Sequence, residues 1–311
     1  MAARSAAFSA GPFLNPECVV SLLRSAPSYF VELGHARVPV WVSGSGPYVV
    51  FVHGWPLTGD TWRGVVDAIV GTCTCVTFDL PGAGLSEWTD PNRLTMPELA
   101  RAICEVVRSL PSDARVILVG HDSGGGLARM AADQLGDRVM GMVLANTEIP
   151  NMHSWRFRAL FAAITLPGAG RLLGLLLGTR LGRYLLLRDA VVDRRLIGSE
   201  LSPRFLEPLA NDPRRLAGAL AVVSRVNPAD FDAIGQLHPR FTGTVRLIWG
   251  VRDPWFPLQG ARNMLATFGG PATLTEVPNA GLLVHEEAPA AVADVVRELA
   301  KSTHHSTYSQ K

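Results

Sequence analysis

Apolar side chains along this chain follow two rhythms that take turns. At 29–33 and 38–42 they alternate with polar ones across small polar turns, which predicts an antiparallel opening hairpin. At 48–52 (YVVFV) they run unbroken, as in a strand buried on both faces. A helix is predicted through Trp62, Val65 and Ile69, then a strand over 73–80 and a helix over 96–110 with Thr95 as N-cap. A strand at 114–119 (ARVILV), a helical pattern over 127–135 and a strand at 139–145 complete the series. Strands alternating with helices at this spacing imply right-handed crossovers and a mostly parallel sheet flanked by helices, an α/β fold.

The rhythm then breaks. From about Glu148 to Arg240 no strand pattern is visible, only leucine-rich helical segments punctuated by prolines and arginines. Alternation returns with a strand at 245–249, a helix near 261–268, a strand at 274–277 and a last helix over 288–299. The division that follows is an N-terminal extension at 1–27, partly helical around 19–23, and a core made of 28–148 and 241–300. A helical insertion at 149–240 divides the core, and a polar, loose tail ends the chain at 301–311. A helical insertion between two sheet strands is expected to cap the strand ends, where open α/β sheets bind their ligands. His304 and His305, in the tail, read as solvated rather than metal-binding.

The stretch that organises the chain is Gly120-His121-Asp122-Ser123-Gly124-Gly125, between the strand at 114–119 and the helical pattern at 127–135. Strand, sharp glycine-rich turn and helix form the setting of a nucleophile elbow. Its apex residue is strained, and small residues two before and two after it let strand and helix approach. Centred on Asp122 the flanks are Gly120 and Gly124. Centred on Ser123 the preceding flank would be His121, which is too bulky. The apex is therefore Asp122. The bland alternative is an ordinary helix N-cap, but glycines on both sides favour the elbow.

Composition narrows the chemistry. The chain has 311 residues, 48% of them hydrophobic, and a net charge of +2, which offers no case for nucleic acid. Cys18, Cys73, Cys75 and Cys104 have no metal-ligand spacing, and Cys73 and Cys75 should face one way into packing. No metal or cofactor is expected. Buried reduced thiols and the lack of a secretory h-region suit a cytoplasmic protein. No apolar run reaches bilayer length, so there is no firm membrane signal, and the oligomeric state stays open.

Taken together these segments resemble the α/β-hydrolase superfamily over about 28–300. The Asp-centred elbow is similar to the branch that holds epoxide hydrolases and haloalkane and fluoroacetate dehalogenases. His53-Gly54-Trp55-Pro56 is similar to the branch's oxyanion-hole motif, and Asp253, in Trp249-Gly250-Val251-Arg252-Asp253-Pro254, matches its usual acid. The resemblance implies that the Asp122 carboxylate attacks an sp³ carbon to give an alkyl ester, which a His-activated water then hydrolyses. It further implies an oxyanion hole from the N–H groups of Trp55 and Ser123, with Asp253 orienting the histidine.

This chain departs from the pattern at the histidine. The usual phrase Gly-His-Phe-x-x-Glu is replaced by Gly281-Leu282-Leu283-Val284-His285-Glu286, so Leu282 occupies the catalytic position. His285 is the candidate substitute base, against a plain helix-start role. Glu148 is an alternative acid, against an exposed loop carboxylate. His121 is expected to be structural. Epoxide hydrolases of this branch typically bring two cap tyrosines to the substrate, whereas this cap offers Tyr184 alone. His153 is the candidate second donor, and Leu282 a pocket-lining residue.

The leading expectation is an epoxide-hydrolase-like enzyme for a small or medium apolar substrate, whose pocket the leucines at 172–177 and 185–187 would line. One rival is a non-hydrolytic cyclase, lyase or isomerase with Asp122 as general base. The others are a ligand-binding pseudoenzyme and cap-mediated contact with a membrane through the arginine-punctuated leucines at 171–187.

Overall fold

The computed structural model describes residues 26–152, 154–164 and 166–308. The helix expected around 19–23, nearly all of the N-terminal extension and Cys18 lie outside the described residues. Nine strands form one sheet: β1 (Tyr29–Glu32), β2 (Ala36–Gly44), β3 (Tyr48–Val52), β4 (Thr74–Phe78), β5 (Glu87–Trp88), β6 (Val116–His121), β7 (Val139–Ala145), β8 (Thr244–Gly250) and β9 (Ala272–Val277). Their order is β1-β2-β4-β3-β6-β7-β8-β9, with β5 laid against β2. Pairing is antiparallel among β1, β2, β4 and β5 and parallel from β4 to β9. The two residues of β5 are too few to carry a periodic signal, and sequence alone did not reveal them.

The parallel strands read as unbroken apolar runs because both faces are covered. Val50, Val52, Val116, Leu118, Met142 and Leu144 point to one side. There they meet α2 (Met96–Arg108) and α3 (Ser123–Leu135). Val49, Phe51, Ile117, Val119, Val143 and Ile248 point to the other. They meet α1 (Arg63–Ile69) and the C-terminal helix (Pro289–Tyr308). Cys73 and Cys75 both join this second cluster as free, buried cysteines, and burial pushes their thiols up. The C-terminal helix runs through 301–308, where a loose tail was expected, since that segment has neither Pro nor Gly to stop it.

Between β7 and β8 the described residues form helices only: α4 (Trp155–Ile164), α5 (Ala169–Leu177), α6 (Arg180–Leu187), a π-helical segment (Ile197–Leu206), α7 (Glu207–Asn211), α8 (Pro213–Ser224) and α9 (Pro228–Ile234). They share an apolar cluster with the core loops, in which Leu187, Ile197, Phe205 and Leu209 meet Leu57 and Leu283. Charged ties fasten this layer to the core. Arg204 donates to Asp60 Oδ2 at 2.6 Å and to Glu286 Oε2 at 2.9 Å, and Arg63 pairs with Glu200. Two short helices, α10 (Leu258–Met264) and α11 (Val284–Glu287), precede the C-terminal helix, now α12.

The elbow is a tight crossing of strand and helix. A Cβ on Gly124 would stand 2.4 Å from the Val52 carbonyl and 2.5 Å from that of His53. Gly124→Ala is therefore expected to cost about 1–3 kcal/mol of stability. Gly71→Ala, where a Cβ meets nothing within 4 Å, should stay within about 0.5 kcal/mol of the parent. Urea denaturation of both variants checks this; a neutral Gly124→Ala would show that strand and helix can separate.

Candidate active site

Asp122 sits where β6 turns into α3, at φ 51° and ψ −135°, a backbone region costly for a residue with a Cβ. The turn is closed by three main-chain and hydroxyl contacts. Asp122 N donates to Asn146 O at 3.0 Å, Gly125 N donates to Asp122 O at 2.8 Å, and Thr147 Oγ1 lies 2.8 Å from that same carbonyl. Gly120 is needed because a Cβ there would stand 2.6 Å from Gly124 O and 2.7 Å from Gly125 Cα. Gly54 is needed because its Cβ would stand 2.6 Å from the Asp122 Cβ.

That absent Cβ lets the next amide reach the carboxylate. Trp55 N lies 3.1 Å from Asp122 Oδ2 and 3.0 Å from Ser123 Oγ, and the Ser123 amide also favours the charged carboxylate. Trp55 follows His53, whose Nε2 accepts from Leu80 N at 2.9 Å, which fixes the loop after β3. The Trp55 indole N–H is spent on the Ala219 carbonyl of α8 at 2.9 Å. Trp55 thus offers its main chain to Asp122 and its side chain to the overlying helices.

Burial pushes the Asp122 carboxyl well above the usual carboxylate range, and the nearby charges of Glu148 and Asp253 add to this. The residue is nevertheless only half-buried, so the group lies deep in protein without being sealed. Asp253 is held by Asn146 Nδ2 at 2.8 Å and by the Trp255 amide at 2.7 Å, and burial pushes it up to about 7. Glu148 is not an exposed loop carboxylate. It is 2% exposed, its Oε2 lies 2.7 Å from Thr147 Oγ1, and it stands 3.7 Å from the buried Arg129 guanidinium. Arg129 also donates to the Gly125 and Glu148 carbonyls and to Thr147 Oγ1.

The histidines lie elsewhere. His285 Nε2 is 2.7 Å from Thr61 Oγ1, which itself donates to Glu286 Oε1, so the imidazole is the donor. Its ring packs on Trp62 and on His121, with centroids 4.6 and 4.2 Å apart, and it is 1% exposed. Burial, then the neighbouring His121 and Arg204, hold it well below the usual histidine range. Among the described contacts none joins His285, the expected substitute base, to Asp122 or Asp253. Its hydrogen bond goes to Thr61, and its ring lies against His121, the residue before Asp122. His121 donates from Nε2 to the Leu282 carbonyl at 2.9 Å, as a structural residue would.

Leu282 is half-buried and borders both the core cluster and the cluster under the helical layer. Tyr184 borders the second cluster as well, but its hydroxyl faces Arg194 at 3.5 Å. It points to no partner at the elbow. His153 lies outside the described residues. The leucines at 172–177 and 185–187 divide: Leu177 and Leu187 are buried, whereas Leu172, Leu175, Leu185 and Leu186 face solvent, so those four do not line a pocket.

Sequence reading missed Asn146, Thr147 and Arg129. Asn146 bonds the Asp122 amide, the Gly250 amide and Asp253 at once, from a backbone at φ 30°. A lone Asn after a strand is the only signal it gave.

Comparison with known proteins places the fold. Residues 47–289 match the model of the alpha/beta hydrolase fold family. Haloalkane dehalogenase 2 of Mycobacterium tuberculosis is 28% identical over 291 residues, covering 87% of this chain and 94% of that protein. A soluble epoxide hydrolase of Corynebacterium sp. is 39% identical over 94 residues, which are 30% of this chain and 32% of that one. The crystal structure of a haloalkane dehalogenase from Bradyrhizobium elkani superposes with a TM-score of 0.75 at 19% identity, covering 89% of this chain and 98% of that one. At that identity it speaks for the fold alone.

Among the described residues Asp253 is in no ion pair, and its burial sets a pH dependence. Its pKa of about 7 in the folded chain lies above the unfolded value of about 3.9, so the folded state holds the proton longer. Stability is then full below about pH 4 and falls as pH rises to about 7, by roughly 4 kcal/mol at 1.36 kcal/mol per unit. Asp253→Asn, which cannot ionise, should remove that share of the slope, leaving the part due to the raised Asp122 and Glu148. Urea denaturation of both proteins across this range measures it, and parallel slopes would refute the assignment.

Proposed function

Because the chain belongs to the alpha/beta hydrolase fold family, we propose that it is an epoxide-hydrolase-like enzyme in which Asp122 attacks an sp³ carbon of a small or medium apolar substrate. The chain is related to haloalkane dehalogenase and epoxide hydrolase at low identity. The observation that carries the proposal is the Trp55 amide 3.1 Å from Asp122 Oδ2 at a strained elbow. With Oδ2 in that hole, Oδ1 is the attacking atom. A new C–O bond forms, the epoxide C–O bond breaks, and the released alkoxide takes a proton from water. An epoxide fits better than a halide, since the Trp55 indole N–H is already given to Ala219 and cannot hold a leaving anion. The apolar wall at Leu282 and Leu283 favours an apolar substrate.

The second step is the weak one. Water must add to the ester carbonyl, place the oxyanion on Oδ2 between the Trp55 and Ser123 amides, and lose a proton to a base. Leu282 cannot take it, and His285 is held by Thr61. Loss of a general base costs about 10²–10⁴-fold. The raised pKa of Asp122 supports a second reading, in which Asp122 is itself the general base of a non-hydrolytic lyase, cyclase or isomerase reaction.

The two readings separate by mass. Under the first, an apolar terminal epoxide leaves one persistent adduct per chain, absent in Asp122→Ala and unaffected by His285→Ala. Leu282→His releases it at a rate raised by about 10²-fold or more if Asp253 can orient the new imidazole. Rapid turnover by the parent protein that stops at the adduct in His285→Ala would restore His285 as base. No adduct in any form, with Asp122→Asn still abolishing a native conversion, would favour the second reading.

A further inference from the structure

Residues 149–188 contain six arginines and no acidic residue, among many leucines. This stretch becomes α4, α5 and α6, and its surface is unusual. α5 is apolar around most of its circumference. Gly170 and Gly174 face α8, where a Cβ would meet Leu220 at 3.0 Å and Leu216 at 3.3 Å, and Leu177 on the same side is buried. At 100° per residue, Leu172 and Leu175 lie on the opposite side, and they are 59% and 66% exposed. α6 follows after two residues and packs tightly on α5, a Cβ on Gly182 falling on the Leu176 carbonyl. It adds Leu181 and Leu185, one turn apart and both exposed. Leu166 and Trp155, also exposed, flank the pair along the chain, and the Arg156 guanidinium stacks 4.6 Å from the Trp155 ring centre.

Every charged side chain that this stretch itself supplies is an arginine. Arg183 is tied to Glu207, and Arg156 and Arg188 share Asp189. Arg158, Arg171 and Arg180 have no acidic partner among the described residues. Arginines with free heads beside exposed leucines, and a tryptophan at one end, match what an in-plane helix needs at a lipid headgroup layer. No described helix is long and apolar enough to cross a bilayer alone, and α4 and α5 meet at 108°, so contact would be lateral.

We propose that the exposed side of α4, α5 and α6 docks on an anionic membrane surface, with its leucines in the acyl boundary and Arg158, Arg171 and Arg180 on lipid phosphates. A neutral apolar partner protein would leave the three arginines uncompensated, whereas anionic lipid covers both the leucines and the charge. Attachment requires no turnover and stands independently of what Asp122 does.

The test is co-sedimentation of the full chain with vesicles of phosphatidylcholine alone and mixed with phosphatidylglycerol, at low and high salt. Binding should need phosphatidylglycerol and weaken with salt. Each of Arg171→Gln and Arg180→Gln should lower partitioning about five-fold, the equivalent of about 1 kcal/mol per basic residue. Leu172→Ser with Leu175→Ser should lower it by at least about ten-fold. Brominated lipid should quench a component of tryptophan emission that Trp155→Phe removes. All these positions are exposed, and unchanged thermal melting of each variant shows that folding is intact. Absence of binding to either vesicle, or equal binding to both, overturns the proposal. So does a dimer in sedimentation equilibrium that Leu172→Ser with Leu175→Ser dissolves, because a second copy would then own this face.

Discussion

Everything at the candidate site depends on how closely β6, α3 and the loop after β3 can approach one another. Four glycines permit it. Gly54, Gly120, Gly124 and Gly125 each leave out a Cβ that would fall within 2.4–2.7 Å of a neighbouring atom. The crossing forces Asp122 into a backbone region that costs of order 1–3 kcal/mol. Asn146, Thr147 and Gly125 offset this through bonds to the Asp122 main chain. Preorganisation follows from the same contacts, since the Trp55 amide reaches the carboxylate only because nothing stands on Gly54.

Electrostatics then follow from burial. Asp122, Glu148 and Asp253 are carboxyls set close together in a poorly solvated pocket of protein, with Arg129 the buried cation among them. Lost hydration raises the proton affinity of all three, and at Asp122 the charges of Glu148 and Asp253 add to it. The neighbouring histidines move the other way and stay neutral, their cations being the costly form. A site of this kind has carboxyls whose protonation is poised nearer neutrality than usual and no imidazolium to balance them.

The loop after β9 has been put to structural use. Gly281 N donates to Glu287 Oε2, while Glu287 Oε1 takes the amides of Val192 and Asp193 in the loop after α6. Leu283 N donates to Ala190 O, and Glu286 receives Arg204. Leu282 and Leu283 complete the apolar contact between the layers. The segment that carries a histidine in the resembled branch is here a clasp between core and helical layer. A histidine returned to 282 would enter an apolar seam.

Local rules were enough for the fold class and the elbow register. Period-2 and unbroken apolar runs placed the strands, because each side chain of a strand must meet one face or the other. Glycine spacing placed Asp122, because only residues without a Cβ fit so close a crossing. Other features had no local signature. The two-residue strand β5 is defined by its partner β2. The roles of Asn146, Thr147 and Arg129 come from distant carbonyls and carboxylates that meet only after β7 and β8 have paired. His285 looked available in the sequence, since three residues from the usual position is less than one helical turn. Only tertiary packing shows its surroundings: α11 carries the ring against Trp62 and His121, where Thr61 engages its nitrogen and burial keeps it neutral.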